Sequence, residues 1–209
     1  MSRRTPPDYG RNVFINCPFD DEYLPLFRAI TFTVSLCGFQ ARCALEVQDA
    51  GEIRLLKILR LVRESRLGIH DISRTAPDHQ NGLPRFNMPF ELGICVGAVH
   101  FGDKAQREKR SLILDVERYR YQKFLSDIAG QDIKAHRNEP KTAISVTRDW
   151  LNGCQPAAVL PGGKDIAREY YRFCADLPAM LKSIRLHDSE ISFLDWRRLI
   201  EQCLKEPEV

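Results

Sequence analysis

Short apolar runs and longer amphipathic stretches alternate along the first three-quarters of the chain. Val13-Phe14-Ile15 is a β-type run closed by Asn16-Cys17-Pro18. Asp20 or Asp21 can then cap a helix in which Leu24, Phe27, Ile30, Val34 and Cys37 recur at three- and four-residue steps. Gly38 stops that helix. Phe39 to Leu45 reads as a second strand, followed by the turn residues Asp49-Ala50-Gly51. The spacing predicts that the next helix buries Ile53, Leu56, Leu59 and Val62 and turns Arg54, Lys57, Arg60 and Arg63 outward. Leu67 to Ile72 is a third strand. A polar loop from Arg74 to Arg85 leads to a helix capped by Asn87, with Pro89 in its first turn and Phe90, Ile94, Ala98 and Phe101 on its buried side. Ser111 to Asp115 is a fourth strand, Tyr119 to Ile128 a helix, and Ile133 the centre of a short fifth strand. A helix over about 140–151 follows.

Asn152-Gly153, Pro156 and Pro161-Gly162-Gly163 break this alternation. Beyond them the pattern is helical only, over about 164–184 with an interruption near Pro178, and over about 189–205. Strands alternating with helices imply a parallel sheet covered on both faces. The expectation is therefore an α/β domain of flavodoxin-like order over residues 1–155, with five parallel strands, and a C-terminal helical extension over 156–209. That extension is too short to bury a core of its own. Tyr170, Phe173, Leu177, Phe193, Trp196 and Leu199 recur at helical steps and predict packing on the first unit or on a second subunit.

Composition narrows the classes. Among 209 residues, 31 Lys and Arg stand against 28 Asp and Glu, a net charge of +3 that gives no strong nucleic-acid or membrane signal. No apolar run approaches the ~20 residues that span a bilayer, and the first residues lack the apolar stretch of a secretory signal. A cytoplasmic location is the expectation. The seven cysteines are odd in number and never spaced Cys-x-x-Cys, which fits free thiols better than disulfides or a zinc site. The five histidines show no metal-ligand spacing, so neither a metal nor a cofactor is expected.

A parallel sheet of this order binds ligands beyond the carboxyl ends of its first and third strands. Asn16-Cys17-Pro18-Phe19-Asp20 follows the first, Asp71-Ile72-Ser73 ends the third, and Asn87 and Glu91 open the next helix. These segments are expected to line one pocket large enough for a ribose. Each residue also has a plainer role. Glu91 can be a first-turn acid favoured by the helix dipole, Asp71 a turn residue, and Cys17 a small buried thiol. His70 should point to the opposite face from Asp71, into the core. Gly93 and Gly97 share a helix face, where they permit either tight packing on the sheet or ligand clearance. No Gly-x-Gly-x-x-Gly occurs, which counts against a dehydrogenase.

Ile69-His70-Asp71-Ile72-Ser73 and Asn87-Met88-Pro89-Phe90-Glu91-Leu92-Gly93, with the strand Leu112-Ile113-Leu114, resemble the nucleoside 2-deoxyribosyltransferase-like family. The opening Phe14-Ile15-Asn16-Cys17-Pro18-Phe19 is similar to that family's first strand and substrate loop. The same fold and helix glutamate recur in Toll/interleukin-receptor domains that cleave NAD. The resemblance covers about residues 11–115 and implies a glutamate, Glu91, that attacks an anomeric carbon and an aspartate, Asp71, that holds the sugar. It also implies substrate-loop roles for Asn16, Phe19 and Asn87. Nicotinamide leaves a cationic ribosyl linkage as a neutral base and needs little acid assistance, so NAD is favoured over a plain nucleoside. The expected activity is cleavage of a nucleotide N-glycosidic bond in a bacterial, antiviral defence context, with NAD or another nucleotide as substrate and a homo-oligomer or defence-system partner controlling it. Two alternatives stand beside it. One is a nucleotide-binding sensor or interaction module without turnover; the other is a nucleoside deoxyribosyltransferase or hydrolase.

Overall fold

The computed structural model describes residues 6, 8–46, 49–75, 77, 82–155 and 159–205. Five strands, β1 Asn12–Asn16, β2 Gln40–Arg42, β3 Leu67–Asp71, β4 Arg110–Asp115 and β5 Lys134–Ala135, form one sheet. All pairs are parallel and the order is β2-β1-β3-β4-β5. β1 and β3 are buried along their whole length, as strands covered on both sides require. The strand alternation sorts side chains into two cores. Val13, Ile15, Leu67, Ile69, Leu112 and Leu114 face one side, whereas Phe14 faces the other against Ile58, Leu61, Val62 and Cys95.

Helices α1 Leu24–Leu36 and α5 Pro140–Cys154 cover the first side. Gly38 ends α1 at φ +81°, with Phe39 N–H donating to Val34 O and Gly38 N–H to Ser35 O, the six-to-one closure that only a residue free of Cβ adopts without strain. The C-terminal helices α6 Gly163–Ile184 and α7 Phe193–Lys205 lie on α1 and α5 as a second layer. Phe32 of α1 stacks on Phe173 at 5.4 Å, and Trp196 donates its indole N–H to Thr31 Oγ1 at 2.8 Å. The extension therefore shares the core of the α/β unit.

The opposite side carries α2 Arg54–Glu64, α3 Asn87–Phe101 and the short α4 Lys104–Arg107. Here both helices sit rotated from the expected faces. In α2 the sheet takes Lys57, Ile58, Leu61 and Val62, leaving Ile53, Leu56 and Leu59 exposed. The helix holds two apolar registers, and the one selected lets Glu64 reach Arg42 on the edge strand and Arg60 reach Glu52. In α3 the buried residues are Met88, Glu91, Leu92 and Cys95, while Phe90 and Phe101 stand in solvent.

Smaller departures have local causes. β2 spans only Gln40–Arg42, and β3 ends at Asp71. Tyr119 adopts a left-handed conformation and Arg120 turns back onto Asp115, so 119–128 forms two 3-10 turns in place of a helix. α5 runs through Asn152-Gly153 to Cys154, and α6 is continuous through Pro178. α3 begins at Asn87 without a side-chain cap, and Glu91 lies beyond its first turn. Pro156 falls outside the described residues. Among those residues no helix is long and apolar enough to cross a membrane.

Candidate functional site

The carboxyl ends of β1, β3 and β4 bring a set of buried polar groups together. Asp71, the last residue of β3, is wholly buried on the α1 side of the sheet. Its Oδ2 accepts the Tyr23 hydroxyl at 2.7 Å and its Oδ1 accepts the Ser73 N–H at 2.9 Å. His136, just after β5, accepts Asn138 N–H at Nδ1, which leaves Nε2 as the protonated nitrogen. That Nε2 lies 3.1 Å from Asp71 Oδ2, close in distance but poorly aligned for a strong hydrogen bond. Burial, reinforced by the Asp71 charge, pushes the Tyr23 hydroxyl well above its ordinary range, so it stays a donor.

One strand over, Asp115 ends β4 in a second buried cluster. Its Oδ1 accepts Val116 N–H and Arg120, whose guanidinium also reaches Thr75 Oγ1 at 2.9 Å and Ser73 O at 2.8 Å. Burial raises the Asp115 carboxyl, against the opposing pull of Arg120. Above both clusters Arg74 bridges Asp20 at 2.9 Å and Glu22 at 2.7 Å. A cavity of about 260 Å³ opens there, lined by Glu22, Tyr23, Ser73, Arg74, Val116 and Asn138 among others.

Glu91 approaches from the other face. It is 7% exposed, makes no hydrogen bond among the described residues, and burial raises its carboxyl to about 7 despite the opposing Arg54. The two carboxyl groups paired in the sequence thus belong to opposite sides of the sheet. Their common neighbour is Cys17, whose thiol is pushed well up by burial and then by the charges of Asp71, Cys43, Glu91 and Asp20.

The other expected residues scatter. Asn16 is buried, its amide donating to Met88 O at 2.9 Å and facing His70 Nδ1 at 3.2 Å, which ties β1 to the start of α3. His70 points away from Asp71, and burial with the Lys109 charge lowers it to about 3. Pro18 is buried, and Asp20 Oδ1 accepts Tyr23 N–H at 3.0 Å, closing the turn before α1. Phe19 packs edge-on against Phe27 and lines a separate cavity of about 480 Å³ with Leu45, Phe193 and Trp196. Asn87 is exposed, while Ser73 borders the cavity beside Asp71. Gly93 and Gly97 meet nothing where a Cβ would stand, so close packing on the sheet does not account for them.

Tyr23, His136, Asp115 and Arg120 were not expected from the sequence. Asp115 carried the same signal as Asp71, an acid at a strand's carboxyl end. The others become polar partners only through the fold. Among the described residues no group of three or more His, Cys, Asp and Glu could hold a metal ion. Comparison with known proteins returns no matching family model, curated protein or solved structure.

Proposed function

We propose that this chain cleaves the N-glycosidic bond of a nucleotide, with NAD as the favoured substrate and Glu91 as the group beneath the anomeric carbon. The observation that carries this reading is a buried carboxyl with no hydrogen-bond partner among the described residues, raised to about 7 and close enough to Cys17, just after β1, to act on its thiol. Buried acids with displaced ionisation concentrate where chemistry occurs.

An N-glycosidic bond breaks through a cationic, oxocarbenium-like ribosyl. A carboxylate in a low-dielectric site stabilises that charge more than water does. A pyridinium ribosyl entering beside Glu91 favours its ionised form. The C1′–N bond breaks with its electron pair passing to the pyridinium nitrogen, so nicotinamide leaves neutral. Water then forms the new C1′–O bond and releases one proton to solvent. Asp71, engaged by Tyr23 and Ser73 and closed to solvent, serves as a positioning residue that fixes the β3 loop.

The same complete enclosure of Asp71 favours a second reading, a nucleotide sensor without turnover. Following nicotinamide release from NAD by wild type and Glu91→Gln separates the two. Release by wild type that rises with pH through about 7 and vanishes in Glu91→Gln supports hydrolysis. Nucleotide binding by both proteins with no release from either supports the sensor.

A further inference from the structure

We propose that the outer face of α2 and α3 is where two copies of this chain meet, with the α3 helices packed antiparallel across a two-fold axis. This rests on the fold alone and not on the reading of Glu91.

The first observation is that α3 is apolar all round. From Asn87 to Phe101 its only Asp, Glu, Lys or Arg is Glu91, which points inward. Helices of that kind are normally covered on every side, yet this one exposes Phe90, Gly93 and Phe101. Phe90 is 58% exposed and Phe101 90%. The second observation is that α2, packed beside α3 through Ile58, Leu61 and Val62 against Ile94, Cys95 and Ala98, adds exposed leucines to the same side. Both helices keep an apolar stripe that the sheet does not use.

The area fits a protein partner. Leu55, Leu56, Leu59, Phe86, Phe90 and Phe101 are each 42–90% exposed. At the ~150–250 Å² that a large side chain can bury, they present on the order of 700 Å². The largest apolar patch on an ordinary monomer is ~300–600 Å², and each partner in a specific complex contributes ~800 Å². Depletion of charge at the patch centre is the composition of an interface core.

The order of residues along α3 identifies the partner as a second copy. Phe90, Gly93, Ile94, Gly97, Ala98 and Phe101 are arranged symmetrically about a point between Cys95 and Val96. An antiparallel pair therefore sets Phe90 against Phe101, Gly93 against Ala98, and Ile94 into the hollow at Gly97. An isologous interface requires such self-complementarity. It also gives the two glycines a role, since a Cβ at either would meet nothing within the chain.

Sedimentation equilibrium at tens of micromolar protein tests this. Wild type should show 48.2 kDa, twice the 24.1 kDa of the chain. Phe90→Glu should weaken association on the order of thirtyfold or more, the effect of a hot-spot residue worth about 2 kcal/mol. Gly97→Gln should also yield monomer while melting no lower than wild type at a dilution where both are monomeric, because Gly is a poor helix residue and its Cβ position is open. That pairing separates lost association from lost folding. Tyr171→Glu, exposed on α6, should leave the dimer intact. A monomeric wild type overturns the proposal, including one that floats with anionic phosphatidylserine vesicles through Phe90 and so identifies a lipid surface. A dimer unaffected by both α3 substitutions overturns it equally.

Discussion

The two faces of the sheet solve the same problem differently. On the α1/α5 side the chain covers itself twice, first with α1 and α5 and then with α6 and α7, so Phe32, Phe173 and Trp196 disappear from solvent. On the α2/α3 side there is one layer, and its outer surface exposes leucine and phenylalanine beside the arginines of α2. The two candidate carboxyls differ along the same line. Asp71 on the first face has donors from Tyr23 and Ser73, whereas Glu91 on the second has none among the described residues. The closed face uses its apolar area internally, although Thr147 Oγ1 and Arg197 Nε there lack hydrogen-bond partners among the described residues; the open face keeps unused apolar area and a carboxyl raised by burial. The contrast can be broken by substitutions on each side.

The largest effect belongs to the closed face. Trp196→Ala removes the ring contact with Phe173 at 5.2 Å and the hydrogen bond to Thr31, and should lower unfolding free energy in urea by about 3–5 kcal/mol. A loss below ~1 kcal/mol would mean that the outer layer is not part of the core.

Glu91→Gln should do the reverse. Native Glu91 titrates near 7 against its ordinary 4.5, so the folded state holds more protons between those values. Stability therefore falls as pH rises from 4.5 to 7 and stays reduced above, by up to about 3 kcal/mol. The glutamine variant should be the more stable protein at pH 8, with that decline abolished. A variant less stable than wild type at pH 8 would show that the carboxylate has a stabilising partner.

Tyr23→Phe removes one donor from buried Asp71 and should cost about 1–3 kcal/mol. This sharpens the contrast, because losing a partner on the closed face destabilises while neutralising an acid on the open face stabilises. The smallest effect is expected at Gly97→Ala, a gain of about 0.5–1 kcal/mol in monomer stability from helix propensity alone, read from thermal melting of the dilute protein.

The closed face was also the more legible one. Leu24, Phe27, Ile30 and Val34 announce α1, and the strand runs at Val13, Leu67 and Leu112 imply a parallel sheet because fully buried strands need apolar residues on both sides. The open face misled because α2 and α3 carry more apolar residues than the sheet can cover. Periodicity finds a stripe but does not say whether the protein interior or the exterior receives it. The site shows the same limit. Asp71 and Glu91 stand out by type and position, yet the strand alternation that sends Asp71 toward α1 while Glu91 enters from α3 becomes decisive only in three dimensions. His136 and Arg120 become partners through contacts made after the sheet forms.

The Trp196–Thr31 hydrogen bond joins groups 165 residues apart. It sets a schedule for how the protein is made. α1 emerges from the ribosome before α6 and α7, with Phe32 waiting for Phe173 and Trp196. Until α7 emerges the nascent chain carries an uncovered aromatic surface that no local contact can shield, the kind of species on which chaperones act. Closure comes only with α7, so translation speed between α1 and α7 governs how long that surface stays open to misassembly.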